Sequence, residues 1–480
     1  MRHSILCTVL LFAAISCARI DDNFMYVGVK KGSGSTSTTP NAERTAQNET
    51  RRIMLLYSLG VNNLRNSLLE DIDDLTSSWL PGMNRQENML LVFSHSGVSG
   101  TNFKTPSEPV LFSVSKGYDG EIVRDTLKAW AADKIGSSAE MLNEVLTYIH
   151  DNYISASCGI VFTSHASGWL PDNYYDNLSR TDKGYSISTA EQGTLTETHT
   201  GNYIDTPAGV QTDTQLETQS EQTSDIEGTR RNVVKKSFGV QVGPENMNYE
   251  INIDELAAAI PFKMDYIILD ACLMAGVEVA YELKDVCRYF VASPTEILAD
   301  GFDYVNMAGR LLSGKEADVL GVCEDYYNHY VQRNSYATIS CIDCSQLEPL
   351  AEACQKIFAT EGRRDILKAL STTDIQRYYR GRYHWFYDLK SVLDKLELSA
   401  DEEAELDKAL EKAVVYNEAT SRFLDIQIKE HCGLSTYLQN NGTKYLDTWY
   451  QRLKWNQRTG YVALLPAEDH GQGSSEDSTL

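Results

Sequence analysis

Two stretches decide the reading of this chain: Gly159-Ile160-Val161-Phe162-Thr163-Ser164-His165-Ala166-Ser167-Gly168-Trp169 and Tyr266-Ile267-Ile268-Leu269-Asp270-Ala271-Cys272-Leu273-Met274. Each opens as a short, continuous apolar run, the pattern of a strand buried on both faces. Each then breaks into small or polar residues that carry one reactive side chain, His165 in the first and Cys272 in the second. In an open parallel sheet, ligands bind at the carboxyl edge of the strands. An imidazole beside a thiol activates it as a nucleophile. A helix expected to begin near Ala275 would add positive terminal potential and backbone amides. Taken singly, a histidine after a strand is usually structural, and a cysteine among Leu, Met and Ala is usually an inert core thiol. Chemistry is favoured by the two patterns together.

Further strands are expected at Ile53 to Ser58, Met89 to Ser94, Val110 to Ser113, Tyr289 to Ala292 and Ala337 to Ile342. Helical spacing of apolar residues predicts helices over Val61 to Leu80, Ser137 to Asn152, Ala275 to Lys284, Glu316 to Arg333 and Ser345 to Thr360. Alternation of this kind implies an α/β fold, a mostly parallel sheet flanked by helices. From Gly362 to residue 466 the pattern becomes more helical and aromatic and reads as a smaller, mainly helical C-terminal unit. It includes a charged helix over Ala400 to Thr420, a strand over His431 to Tyr437 and a final helix over Leu446 to Gln457. The tail, residues 467–480, carries too little apolar character for a core and reads as disordered.

Between the two decisive stretches, residues 179–229 are Thr, Ser, Gln, Gly and acidic side chains, from which no core can be built. They run into Arg230, Arg231, Lys235 and Lys236, the densest basic cluster in the chain, in the exposed setting where proteolysis concentrates. At 480 residues, with 42% hydrophobic and 10% aromatic content, the chain can bury a large interior. A formal charge of −24 excludes ordinary nucleic-acid binding and favours cationic peptide partners.

The N-terminus joins a basic start, an apolar run from Ile5 to Ile15 and then Ser16-Cys17, the form of an export signal. Ala14-Ile15-Ser16-Cys17 resembles the lipobox of bacterial lipoproteins, which implies acylation of Cys17, a membrane partner and an outer-membrane or cell-surface location. A plain signal peptide, with secretion, is the alternative. Residues 18–50 read as a polar tether. Of the ten cysteines, eight follow Cys17, too few for a disulfide scaffold in a chain of this size. Cys341-Ile-Asp-Cys344 has no second pair to complete a zinc site and is expected to be a buried pair at a strand end. Ser94-His95-Ser96-Gly97 also follows a strand but has no evident nucleophile partner.

The His165-Ala166-Ser167-Gly168-Trp169 and Asp270-Ala271-Cys272-Leu273-Met274 blocks, with Glu278 following, resemble the signatures of the clostripain family of cysteine peptidases, in the clan of caspases, gingipains and legumain. The resemblance runs from Arg51 to Val462, interrupted by the acidic insert. It implies a caspase-like core over 51–361, with 179–236 as insert and processing region. It also implies His165 as general base, Cys272 as nucleophile, and the backbone amides of Ala166 and Cys272 as oxyanion donors. Ala166 stands where the family usually has glycine, which matters only if the turn needs a positive φ. Cleavage after Arg or Lys is implied too, with Asp270 and Asp300 as candidate carboxylates for the basic P1 side chain. So is self-cleavage at the cluster of Arg230, Arg231, Lys235 and Lys236, leaving an associated light and heavy chain. No cofactor is required by the residues themselves; calcium serves some relatives, and Asp300 and Asp303 are acids that suit it. Competing readings are a non-catalytic lipoprotein that binds cationic peptides and an amidase or transpeptidase using the same acyl-enzyme chemistry.

Overall fold

A computed structural model describes residues 51–462, apart from 84–87, 102–104, 154, 173, 175–237, 243–247, 381–384 and 440–442. The signal, Cys17, the tether, the whole acidic insert, the basic cluster and the C-terminal tail therefore lie outside the described residues.

The apolar runs become the middle of a nine-stranded sheet. In chain order its strands are β1 (Arg52–Gly60), β2 (Met89–Ser96), β3 (Val110–Lys116), β4 (Ile122–Ala129), β5 (Ser157–Thr163), β8 (Met264–Asp270), β9 (Cys287–Ala292), β10 (Thr338–Asp343) and β12 (Val414–Ala419). β6 (Phe238–Val242) and β7 (Asn248–Ile251) form a separate hairpin, and β11 (Tyr387–Asp388) pairs with β15 (Ser435–Thr436). β13 (Arg422–Phe423) and β14 (Ile426–Gln427) make a second small hairpin. Across the main sheet the order is β12-β10-β9-β8-β5-β1-β2-β3-β4. The five strands β2, β1, β5, β8 and β9 run parallel, and antiparallel strands finish both edges. β1 is buried at every position, as a strand covered on both faces must be.

Helices α1 (Arg65–Ser77), α2 (Ala139–Asn152), α3 (Ile253–Ala259), α4 (Val277–Leu283), α5 (Tyr304–Leu312), α6 (Val319–Gln332) and α7 (Leu347–Ala359) cover the sheet. One core holds Leu55, Phe162, Ile267 and Leu269 with residues of α2, α4 and α7. The other holds Leu56, Val161 and Ile268 with residues of α1, α5 and α6. The remaining helices are α8 (Arg363–Ala369), α9 (Leu389–Leu393), α10 (Ala400–Ala413), α11 (Lys444–Tyr450) and α12 (Lys454–Thr459). Their apolar residues, among them Leu406, Trp449 and Trp455, join the first core.

The structure corrects several expectations. The helix expected over Ala400 to Thr420 ends at Ala413, and Val414–Ala419 becomes the edge strand β12, antiparallel to β10. Val414-Val415-Tyr416 is β-branched and aromatic, a composition that favours the pleated sheet once a partner edge is available. The final helix is two, α11 and α12, broken at residues 451–453. Strand character over His431 to Tyr437 is confined to Ser435–Thr436. Cys341 and Cys344 are not partners, because they belong to opposite faces of the sheet. Cys344 Sγ lies 3.4 Å from Cys287 Sγ, whereas Cys341 pairs with Cys323. All eight cysteines among the described residues are unbridged.

Candidate active site

β5 and β8 are neighbouring parallel strands whose register sets Thr163 opposite Asp270 on their last rung. His165 and Cys272 therefore each lie two residues beyond that rung and leave the same sheet edge in step. Parallel neighbours run about 4.8 Å apart, so the two loops start side by side. Both residues line one cavity of about 250 Å³, together with Asp71, Thr163, Ser164 and Asp270.

Each loop is held by identifiable contacts. In the first, Gly168 adopts φ 64°, and a Cβ there would come within 2.6 Å of the Phe386 ring and 2.7 Å of the Leu273 carbonyl oxygen. That close approach joins the histidine loop to the cysteine loop and needs glycine. Ala166 is absent from the positive-φ residues, so alanine meets no backbone obstacle. Trp169 is fully buried against Tyr437 and Tyr450, with ring centroids 4.8 and 5.1 Å away, and its carbonyl accepts from Trp449 Nε1 at 3.0 Å. The aromatic C-terminal segment thus clamps the loop that carries His165. From the other side, Gly239 N of β6 donates to the His165 carbonyl at 3.0 Å.

The imidazole has an orienting neighbour that neither sequence block contains. His165 Nε2 lies 2.7 Å from Asn63 Oδ1, in the turn between β1 and α1. If the amide oxygen faces the ring, Nε2 carries the proton and Nδ1 becomes the proton acceptor.

In the cysteine loop, Cys272 Sγ sits 3.8 Å from the Ile297 carbonyl oxygen. Leu273 holds φ 64°, costly for a residue with a Cβ, and sits immediately after the thiol. Leu273 N donates to Thr295 O at 2.8 Å and Ala275 N to Ser293 O at 3.0 Å. These bonds delay the following helix, which begins at Val277 rather than near Ala275, with Gly276 as its extended cap. Cys272 is therefore not at a helix N-terminus, and its setting is the strained turn itself. Glu278, in the first turn of α4, is fully buried. Its Oε1 accepts from Tyr450 Oη at 2.6 Å, Thr436 Oγ1 at 2.8 Å and Tyr437 N at 3.0 Å, which ties the cysteine block to the C-terminal segment.

Asp270 is buried in the cavity wall and accepts from Tyr304 Oη at 2.7 Å. Burial holds its carboxyl above the usual range, against the pull of hydrogen bonds from Tyr304, the Phe302 backbone and Thr163. Gly301, at φ 60°, packs so closely that a Cβ would stand 2.6 Å from Asp270 Oδ2. Asp300, one residue earlier, is exposed and lines a neighbouring cavity with Asp303, Asp74 and His329. The structure thus brings His165, Cys272 and Asp270 together and leaves Asp300 outside their cavity. Among the described residues no group of three or more His, Cys, Asp or Glu side chains is arranged to hold a metal ion. His95, at the end of β2, is fully buried, accepts from Gly136 N at 3.2 Å and is held down to about 4 by burial. It is a core residue.

A thiol and an imidazole at the carboxyl edge of a caspase-like sheet, lining one cavity with a buried carboxylate, define the class of thiol hydrolases. The family model described as the clostripain family matches residues 238–467, a span that includes Cys272 and begins after His165. Over that region, just under half of its length, the chain matches the clostripain family of cysteine peptidases. In fold it is similar to an inactive zymogen C11 protease from Parabacteroides distasonis, with 23% identity and TM-score 0.63 over 85% of this chain and 97% of that one. It is also similar to a secreted C11 cysteine protease from Bacteroides thetaiotaomicron solved with an irreversible peptide inhibitor, with 20% identity and TM-score 0.62 over 86% and 99%. No curated protein matches the chain. Among the described residues no helix is long and apolar enough to cross a membrane.

Proposed function

We propose that the protein is an endopeptidase that cleaves after Arg or Lys through a dyad of Cys272 and His165. The observation that carries this reading is the shared cavity of about 250 Å³ lined by Cys272, His165 and the buried Asp270. His165 Nδ1 takes the Cys272 thiol proton, and the thiolate attacks the scissile carbonyl carbon. The amides of Ala166 and Cys272 receive the charge that develops on the carbonyl oxygen. The imidazolium then protonates the departing amine, leaving an acyl-enzyme. Water, deprotonated by the same imidazole, hydrolyses the thioester and returns the thiol. Asp270 supplies a charge-assisted hydrogen bond to the basic P1 side chain. Asp300 lies outside this cavity and is given no part in the step. No step is routed through calcium.

Maturation by self-cleavage within Arg230 to Lys236 is part of the same reading. Gly239, three residues after Lys236 in the sequence, donates its N–H to the His165 carbonyl, a contact that would help hold the two chains together after a cut in the cluster. Export with acylation at Cys17, placing the enzyme on a cell surface, rests on the lipobox-like sequence.

Matched peptide reporters with Arg, Lys or a neutral residue at P1 test the reading on wild type and Cys272→Ala. Basic reporters alone should be cut, by wild type alone. Equal cleavage of neutral and basic reporters contradicts the specificity, and activity surviving in Cys272→Ala contradicts the nucleophile.

A further inference from the structure

One acidic side chain in the cavity belongs to neither sequence block. Asp71 lies on α1 in the buried row Leu68, Asp71, Ile72, Leu75, is only 7% exposed, and lines the cavity that holds Cys272, His165 and Asp270. The other cavity acids are engaged: Asp270 by Tyr304 Oη at 2.7 Å and Glu296 by Arg380 Nε at 2.8 Å. No described residue donates a hydrogen bond to the Asp71 carboxylate or forms an ion pair with it. The charges around it are all of its own sign, namely Asp270, Asp74, Glu70 and Asp300. A buried carboxylate without a donor or cation is costly, and like-charged neighbours deepen the cost. Such a group is stable only if it takes a proton or a cation, and the cavity opens toward the nucleophile.

Resting on the basic-P1 reading above, we propose that Asp71 is a second specificity carboxylate, which together with Asp270 receives the guanidinium or ammonium of the P1 side chain. A guanidinium presents five N–H donors, more than the remaining capacity of Asp270 can satisfy. Two carboxylates meet that demand and also accept a lysine ammonium. In the empty pocket the pair holds a proton, and an entering cation displaces it. Titratable groups around the pair on surrounding elements are Tyr304 on α5, Tyr326 and Tyr330 on α6, Glu70 and Asp74 on α1, Asp300 after β9, His165, and the Glu296–Arg380 pair at the rim. None but Arg380 and a protonated His165 is cationic, and Arg380 is committed to Glu296. Binding of a basic P1 side chain therefore strengthens as pH rises, while binding of a neutral isostere does not.

The test uses the full-length chain as wild type, Asp71→Asn and Asp71→Glu, with peptides carrying arginine or its neutral isostere citrulline at P1. Asp71→Asn should lower kcat/KM for the arginyl peptide about tenfold to hundredfold and leave the citrullyl peptide within about twofold. It should also flatten the pH dependence of the arginyl KM, and Asp71→Glu should restore part of the loss. An equal fall for both peptides, or an unchanged arginyl rate, overturns the proposal. Calorimetry of agmatine binding to wild type in two buffers adds a readout independent of any variant. Release of a proton near neutral pH is expected, and no release overturns the proposal. Wild type that does not prefer arginine over citrulline defeats the basic-P1 reading first and this inference with it. Preference retained in Asp71→Asn defeats this inference alone.

Discussion

His165 Nε2 lies 2.7 Å from Asn63 Oδ1. This contact holds the imidazole by one ring nitrogen, and Asn63 is exposed, so it contributes little to packing. Asn63→Ala should lower kcat/KM about tenfold to hundredfold, the worth of one hydrogen bond to an imidazolium. Melting temperature should stay unchanged. A full pH–rate profile checks this: a uniform loss with no change in melting supports a positioning role, and an unchanged rate contradicts it.

Gly168 joins the histidine loop to the cysteine loop. Alanine there must adopt φ 64° and enter the space of the Leu273 carbonyl oxygen and the Phe386 ring. Gly168→Ala should cost about 2–4 kcal/mol in stability, from the left-handed backbone and from overpacking, and should lower activity more than stability alone requires. Ala166→Gly, where φ is ordinary, should be nearly silent. Denaturant unfolding of both variants distinguishes the positions.

Asp71 should make stability depend on pH in a definite direction. Burial and the Asp270 carboxylate raise its folded pKa above the unfolded value, so the folded state binds more protons. The stabilising contribution of the protonated form is complete below about pH 4, the unfolded pKa, and is lost as pH climbs from there through the raised folded value. Asp71→Asn removes that loss. It should melt above wild type at pH about 8, by about 2–4 kcal/mol, and match it near pH 4. Thermal unfolding at the two pH values checks the sign; a variant less stable than wild type at the higher pH contradicts it.

The middle of the fold was legible because strands buried on both faces carry continuous apolar runs, as residues 53–57 and 266–269 do. β4 escaped because Ile122-Val-Arg-Asp-Thr-Leu-Lys-Ala is a largely exposed edge whose charges break the alternation. β12 was hidden by the charged helix that runs directly into it. The site was legible where a reactive side chain followed a buried strand, as at His165 and Cys272, and less so where it depended on tertiary approach. Asn63 stands in a turn with no pattern of its own. Asp71 is masked by Glu70, Asp73 and Asp74, which suggest a solvated face, although the spacing Leu68, Asp71, Ile72, Leu75 places it with the apolar row. Asp300 was suggested by the family resemblance alone; it lines the neighbouring cavity with Asp74, Asp303 and His329.

The central claim is that Cys272 is the nucleophile and His165 its base. Its most direct test is alkylation of the intact protein by a peptidyl arginine chloromethyl ketone, mapped by peptide mass spectrometry and timed in wild type and His165→Ala. The dyad predicts a single adduct on Cys272 that forms rapidly in wild type and at a small fraction of that rate in His165→Ala. An adduct on another cysteine, or equal rates in the two proteins, would contradict it.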